Sequence, residues 1–415
     1  MDSTGILSEL ISSRRAVIGI VGVGYVGGAL ARESANAGFH VIGFTRNINR
    51  ANRINQEGIR NLTITIDIKK LSECNVICIC VPTPIHEDKL PDLEPLQSSV
   101  QKIVQYMQKG TLVIVESTIA PGTTRNFVLP ILETSGYSKE KDFFLSFSPE
   151  RVDPGNVKFN LKNTPKVVSG LSRKSVELTI KFYQSFVERV VPVSSLEAAE
   201  MSKILENTFR FVNISLMNEL LDYTNKIGVD MWEVISASST KPYGFMPHYP
   251  GPGIGGHCIP VDPYYLLDDA RKHGVKLSLL EQTGLINDAQ PHKVVNKTLF
   301  ILKEKNGHKH SNSALIIGLA YKENIDDKRE SPSLKIWELL QNNKVKVSYH
   351  DPYVSRYKDT ESEEISELSL QKKDIIIIVT PHKCINYEML LSSRKPIIDT
   401  RNVLKDYISP NIYRT

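Results

Sequence analysis

Long apolar runs are absent from this chain of 415 residues: no stretch of 18 or more hydrophobic residues occurs, and the first 15 lack the apolar core of a secretory signal. Neither a membrane-spanning helix nor export by that route is expected. Cysteine is scarce. The five cysteines, Cys74, Cys78, Cys80, Cys258 and Cys384, show no paired CxxC spacing, and their odd number argues against a disulfide framework. A reducing, cytoplasmic setting is expected. Strong charge of one sign is also missing, since 51 basic and 46 acidic residues leave only +5, with the basic residues scattered. Nucleic acid polymers are therefore not expected as partners, whereas an anionic small substrate is compatible. No low-complexity linker interrupts the chain, and hydrophobic (41%) and charged (23%) contents are those of an ordinary globular protein. The length predicts about two to three domains.

Residues 1–15 read as a short helix or arm. Ala16 to Val21 then forms an apolar strand, followed by Gly22-Val-Gly24-Tyr-Val-Gly27 and a helical stretch from Gly28 through Ala37. Strand, glycine turn and helix in this order make a dinucleotide fingerprint. The first glycine shapes the turn, the second admits a pyrophosphate, and the third lets helix pack on strand. The second strand, His40 to Phe44, is followed by Thr45-Arg46-Asn47 instead of an acid for the ribose hydroxyls. A missing carboxylate beside an arginine is a pattern that accommodates a 2′-phosphate, which leaves NADP open beside NAD. The alternative is that Arg46 or Arg50 stacks on adenine or touches the pyrophosphate while NAD is used.

Further apolar strands at Val76 to Val81, Leu112 to Val115 and Phe144 to Phe147 alternate with helical segments. Alternation of this kind predicts a doubly wound parallel sheet with ligands at the carboxyl ends of its strands. Val81 to Pro84, Glu116-Ser-Thr118 and Ser148-Pro-Glu150-Arg151 stand at those ends, making Thr118 and Glu150 candidates. Cys78 and Cys80 alternate within an apolar run and read as small core side chains.

From Leu196 to Lys226 the pattern is one long helix. Glu200, Lys203, Asn207 and Arg210 recur at intervals of three and four on one face, while Phe209, Phe211, Leu216, Leu220 and other apolar residues crowd the rest. Such a helix should be buried on most sides, with some polar groups lining a site or a subunit contact. A second helix runs from Met231 to Ala237, and helices fill 264–308.

Between them lies Pro250-Gly-Pro-Gly-Ile-Gly-Gly-His-Cys-Ile-Pro-Val-Asp-Pro263, too rich in glycine and proline for a helix or central strand. It must be a shaped loop. Bare backbone lets a ligand approach, and Cys258 in its middle, flanked by His257 and Asp262, is a candidate nucleophile. The alternative is a structural cysteine in a tight turn. At Ser313 a new α/β unit begins, with strands at Ala314 to Gly318, Val345 to Tyr349, Asp374 to Val379 and Pro396 to Asp399 and a helix at Ser331 to Leu340. It has no dinucleotide fingerprint, which suggests a different nucleotide-bearing ligand or a degenerate copy. The expected fold is α/β: two doubly wound Rossmann-like domains, 1–195 and 306–415, joined by a central helical domain, 196–305.

Together these motifs resemble the UDP-glucose/GDP-mannose dehydrogenase family along nearly the whole chain. The residues that carry the likeness are Gly22 to Gly27, Val81 to Pro84, Glu116 to Thr118, Ser148 to Arg151, Lys203-x-x-x-Asn207, Gly251 to Pro263, Gly318 to Lys322 with Asp326-Asp327-x-Arg329, and Asp399-Thr-Arg401. Ser148 to Gly155 and Tyr321 to Pro332 look most like the UDP-N-acetylglucosamine 6-dehydrogenase branch. The resemblance implies oxidation of a sugar C6 alcohol to aldehyde and then acid, with Cys258 forming a thiohemiacetal and a thioester. It implies Glu150 as base for thioester hydrolysis, Lys203 and Asn207 as stabilisers of the C6 oxyanion, and Thr118 and Asp262 as holders of a catalytic water or partners of Lys203. Cofactor contacts are implied for Gly22, Gly24, Tyr25, Val26, Gly27, Thr45, Arg46, Arg50, Pro82, Thr83, Ser117, Thr118 and Arg329. For the UDP-sugar, the implied residues are Glu150, Arg151, Lys203, Asn207, Arg210, Gly253, Gly255, Gly256, Tyr321, Lys322 and Arg401. No metal is implied. A homodimer through the central helices, roughly 197–300, is implied, as is a role in surface polysaccharide synthesis.

Two departures stand out. Thr45 replaces the usual acid, and Pro154 stands where some UDP-glucose members carry a second glutamate. UDP-glucose, UDP-N-acetylgalactosamine and UDP-N-acetylmannosamine remain alternative substrates. A two-electron β-hydroxyacid dehydrogenase is disfavoured by Gly255-Gly-His-Cys258 and Lys322, and a catalytically dead nucleotide-sugar-binding protein by the filled catalytic positions.

Overall fold

A computed structural model describes residues 2–153, 156, 158–307 and 311–414. Pro154 and Gly155, at the end of the Ser148 motif, lie outside the described residues. The chain divides into two compact units, 1–206 with 264–275, and 207–263 with 276–415.

The first unit holds an eight-stranded sheet in the order β3-β2-β1-β4-β5-β6-β7-β8. Its strands are β1 (Val17–Val21), β2 (His40–Phe44), β3 (Leu62–Thr65), β4 (Val76–Ile79), β5 (Thr111–Val115), β6 (Phe143–Phe147), β7 (Lys166–Gly170) and β8 (Val190–Pro192). All neighbours run parallel except β6 and β7, which pair antiparallel with Ser146 opposite Gly170. Both faces are covered, so alternate residues serve two cores. Ile77 and Ile79 join one, while Val76 and Cys78 join the other. Apolar residues at every position of β4 follow from this double burial. Helices α1 (Ser3–Ser12), α2 (Tyr25–Asn36), α3 (Ile48–Asn55), α4 (Glu94–Tyr106), α5 (Leu129–Glu133) and α6 (Arg173–Tyr183) belong to this unit. Helix α2 starts at Tyr25, three residues before the sequence suggested, because Gly24 serves as its N-cap.

Next come α7 (Leu196–Ile227), α8 (Met231–Ser239), α9 (Asp262–Lys272) and α10 (Ser278–Asn306). Helix α7 runs the length expected, yet it is not buried on most sides. Phe209, Leu216, Leu220, Tyr223 and Ile227 are exposed, from 38% for Leu220 to 60% for Tyr223. Their spacing of seven, four, three and four aligns them in one outward stripe.

The second unit carries a five-stranded parallel sheet, β10-β9-β13-β14-β15. Its strands are β9 (Ser313–Ile317), β10 (Lys346–His350), β13 (Ile375–Ile378), β14 (Ile397–Asp399) and β15 (Ile412–Arg414), with a small antiparallel ribbon of β11 (Arg356–Tyr357) and β12 (Thr360–Glu361). Alternation again divides two cores: Ile375 and Ile377 pack with residues of α10 and of α11 (Pro332–Asn342), while Ile376 and Ile378 pack on the opposite face. Among the described residues, no helix is long and apolar enough to cross a membrane.

Candidate active site

In the first unit, Gly22 has φ +97°, and a Cβ there would stand 2.6 Å from the Cys80 carbonyl oxygen, so only glycine fits. A Cβ on Gly24 would meet nothing within 4 Å, and α2 has no side-chain cap at this end. Open space over uncapped helical N–H groups suits a pyrophosphate, so these residues fit a dinucleotide. Tyr25 and Val26 begin α2, and a Cβ on Gly27 would collide with the Gly22 carbonyl at 2.1 Å. Thr45 Oγ1 accepts from the Asn47 N–H at 3.2 Å, and Arg50 Nη1 reaches the Val23 carbonyl at 3.4 Å, placing Arg50 against the glycine turn. Arg46 is exposed beside it.

The strand-end loops are tied together. Thr83 Oγ1 donates to the Thr118 carbonyl at 2.8 Å, and Ser117 Oγ to the Val81 carbonyl at 2.7 Å, with exposed Pro82 between them. Glu150 is buried, with Oε1 accepting from the N–H groups of Arg151 (2.8 Å) and Val152 (2.5 Å) and Oε2 accepting from Lys166 Nζ (3.0 Å). Burial would raise its carboxyl, but the Lys166 ammonium and those N–H groups outweigh it and hold Glu150 below the usual range. Arg151 donates to the Pro165 carbonyl at 2.8 Å and pairs with Glu206 at 2.6 Å. Lys203 is half-buried and forms no ion pair among the described residues. Glu200, on the same helix, is fully buried. Its carboxylate accepts from the N–H groups of Gly122 (2.5 Å) and Thr124 (2.8 Å), where the chain turns toward α5.

Cys258, in the second unit, is exposed, whereas Cys74 and Cys78 of the first unit are buried. Burial pushes the Cys74 thiol up to about 12 and those of Cys78 and Cys80 well above their usual value, so these three stay protonated. The Cys258 carbonyl accepts from the N–H groups of Val261 (3.1 Å) and Asp262 (2.8 Å), setting the cysteine in the turn that opens α9. Arg329 lies beside this loop, and its guanidinium is raised first of all by its hydrogen bond to Asp327. Arg329 itself grips Asp327 with Nε at 3.0 Å and Nη2 at 2.6 Å, and its carbonyl accepts from the Gly256 N–H at 3.0 Å. Burial and the Arg329 charge lower His257, which is therefore neutral at pH 7.

Asn207 and Asp262 are both buried and bonded to each other at 2.5 Å. The glycine loop is held from two helices: Asn218 of α7 accepts from the Gly251 N–H and Asn287 of α10 from the Ile254 N–H, each at 2.8 Å. Tyr321 fills the room that glycine leaves, lying 2.7 Å from where a Cβ of Gly255 or Gly256 would stand. Gly253 and Gly256 both have positive φ. Arg401 packs on Gly251 and donates from Nε to the Val379 carbonyl at 3.2 Å. Lys322 is half-buried beside Tyr321, and Arg210 is exposed on α7. Nothing in the sequence singles out Asn218, Asn287 or Lys166 from the polar groups around them. Only tertiary register gives these their partners.

A fingerprinted dinucleotide sheet, a second nucleotide-type sheet and an exposed thiol on a glycine loop define a nicotinamide-dependent oxidoreductase with a nucleotide-bearing substrate. Residues 16–187 match the UDP-glucose/GDP-mannose dehydrogenase family NAD binding domain, 197–289 its central domain and 315–406 its UDP binding domain. The chain is 34% identical to a UDP-N-acetyl-D-mannosamine dehydrogenase of Pyrococcus horikoshii, over 94% of this chain and 96% of that one. It is 35% identical to a UDP-N-acetyl-D-glucosamine 6-dehydrogenase of Pseudomonas aeruginosa, over 81% and 83%. A solved structure of a UDP-D-ManNAc dehydrogenase from Pyrococcus horikoshii is similar with a TM-score of 0.87 at 33% identity, covering 96% of this chain and 98% of that one. The chain belongs to the UDP-glucose/GDP-mannose dehydrogenase family. It is an NAD-dependent nucleotide-sugar oxidoreductase.

Proposed function

We propose that this enzyme oxidises the C6 hydroxyl of a UDP-N-acetylhexosamine to the uronic acid, with UDP-N-acetylglucosamine as the first candidate. The observation that carries the reading is the exposed Cys258 on the glycine loop, in the turn before α9 and beside Arg329; Cys74 and Cys78 are buried, and Cys384, which is also exposed, stands on no such loop. The glycine turn of Gly22, Gly24 and Gly27 would hold the dinucleotide, and two nicotinamides bound in turn would each supply the acceptor for one hydride from C6. Cys258 adds as thiolate to the C6 aldehyde, giving a thiohemiacetal whose oxidation leaves a thioester. Glu150 takes the proton from the water that attacks the thioester carbonyl, and Cys258 departs as thiolate. Lys203 and Asn207, one helical turn apart on α7, stabilise the oxygen anion at C6. Asp262 orients Asn207 through their hydrogen bond, and Thr118 holds water beside the strand ends.

NAD is the favoured cofactor. Arg50 already rests on the Val23 carbonyl, which supports a role at the pyrophosphate instead of a 2′-phosphate. Tyr321, Lys322 and Arg401 are assigned to the UDP moiety. A division into three functional domains, 1–195, 196–305 and 306–415, belongs to this reading. So does a homodimer in which a second copy covers the 209-216-220-223-227 stripe of α7, for these five apolar side chains form one exposed row.

UDP-N-acetylmannosamine is the second reading, because relatives carrying that name match over 93–94% of this chain at 32–34% identity. The two sugars differ only at C2. The purified enzyme, offered UDP-N-acetylglucosamine, UDP-N-acetylmannosamine, UDP-N-acetylgalactosamine and UDP-glucose with NAD and with NADP, is expected to form acid fastest from the first with NAD. Faster turnover of another sugar, or of NADP, replaces that assignment.

A further inference from the structure

Glu150 is not an isolated carboxylate. Strands β6 and β7 pair antiparallel with Ser146 opposite Gly170 and Phe147 opposite Ser169, and continuing that register sets Glu150 opposite Lys166. Lys166 Nζ donates to Glu150 Oε2 at 3.0 Å and to Glu116 Oε2 at 2.7 Å, and the Tyr183 hydroxyl donates to Glu116 Oε1 at 2.5 Å. Lys166, Glu116 and Glu150 are 2%, 1% and 7% exposed. One buried ammonium therefore serves two buried carboxylates.

A buried ion cluster is a poor way to gain stability, because taking three charges from water costs much of what their attraction returns. Well-packed apolar residues would fasten β7 to β6 at least as well. The geometry explains the retention differently: the two Oε atoms of Glu150 are fixed by Lys166 and by the N–H groups of Arg151 and Val152, which determines where its remaining lone pairs point. The other groups facing this cluster are Cys78 in β4, Cys80 just after it and Tyr183 on α6, all kept neutral by burial, and Arg151, whose guanidinium turns to Glu206 and the Pro165 carbonyl.

We propose that Lys166 is a positioning residue that holds Glu150 as an oriented carboxylate, and that Glu116 sets the strength of that hold by sharing the ammonium. The inference rests on Glu150 being the base for thioester hydrolysis. Without Lys166, two carboxylates would face each other in a dry site and Glu150 would retain a proton. Without Glu116, the ammonium would serve Glu150 alone and hold it ionised to lower pH.

The test is a rapid-quench single turnover of the full-length enzyme, following decay of the sugar acyl group on Cys258 as a function of pH. In Lys166→Met the acid limb is expected to move up by roughly one unit or more, and in Glu116→Gln to move down. Lys166→Arg should restore the wild-type limb. Should Lys166→Met fail to fold, the Glu116→Gln shift and the Lys166→Arg limb decide the matter. Limbs unmoved in Glu116→Gln, or moved the same way in both variants, overturn the proposal. Glu150→Gln separates the two readings. If it hydrolyses the acyl group at the wild-type rate, the role of Glu150 itself fails, whereas a slow Glu150→Gln with unmoved limbs in the other variants overturns only the inference about Lys166.

Discussion

The Asn207 side-chain amide donates to Asp262 Oδ2 at 2.5 Å, and both residues are buried. Asn207 lies on α7 and Asp262 in the first turn of α9, four residues after Cys258, so this bond ties the long helix to the turn that carries the thiol. Asn207→Leu should cost about 1–3 kcal/mol, since a buried carboxylate loses its amide partner. Urea unfolding measures that loss, and acid formation should fall with it. An unchanged midpoint would show that the bond contributes nothing.

Gly256 illustrates how tightly the loop is shaped. It has φ +89°, and a Cβ there would stand 2.7 Å from the Tyr321 ring. Gly256→Ala should destabilise by about 1–3 kcal/mol and displace Tyr321. The expected signature is a higher KM for the UDP-sugar with little change in KM for NAD, read by steady-state kinetics. Equal effects on both would contradict the assignment of Tyr321 to the UDP moiety.

Asp351 anchors the loop that bears Tyr321 and Lys322. It accepts from the N–H groups of Leu319 (2.7 Å) and Ala320 (2.9 Å) and from His382 Nε2 (3.1 Å), while the Asn324 N–H donates to His382 Nδ1 (2.9 Å). Burial would raise Asp351, but His382 and those N–H groups bring it down to about 2. A depressed carboxyl contributes stability above its unfolded value near ~4, and that contribution is lost as pH falls from there toward 2. Asp351→Asn should flatten the acid arm of stability between those values and raise KM for the UDP-sugar. Denaturation at pH 3 and pH 6 checks the first.

Glu200 has the opposite sign. Burial pushes its carboxyl up to about 7 despite the N–H groups of Gly122 and Thr124. The folded chain then binds a proton that the unfolded chain releases near its usual ~4.3, so stability falls as pH rises from there to 7. At ~1.4 kcal/mol per unit, the span amounts to roughly 4 kcal/mol. Glu200→Gln removes this slope, and the difference between the two proteins at pH 5.5 and pH 8 isolates it.

The doubly wound sheets and the glycine fingerprint were legible because they are local: alternating apolar strands at Val76–Ile79 and Ile375–Ile378, and glycines whose spacing reflects a turn. Cys258 stood out for the same reason, set among glycines and prolines within fourteen residues. What could not be read depends on register and packing. Lys166 opens an apolar strand and resembles any strand-end lysine until β7 is seen to run antiparallel to β6. Asn218 holds Gly251 across 33 residues of chain, and Glu200 meets Thr124 across 76. The outward stripe of α7 was misjudged because apolar residues at helical spacing look alike whether they meet their own core or stay exposed.

The account stands or falls on the bond to Cys258. Glu150→Gln, mixed with excess NAD and the UDP-sugar that the wild type oxidises, then quenched and weighed first intact and then as peptides, is expected to gain the mass of the UDP-sugar acyl group on the peptide containing Cys258. Cys258→Ser under the same conditions should form no acid. Full acid formation by Cys258→Ser, with no adduct on Glu150→Gln, would contradict the thioester route.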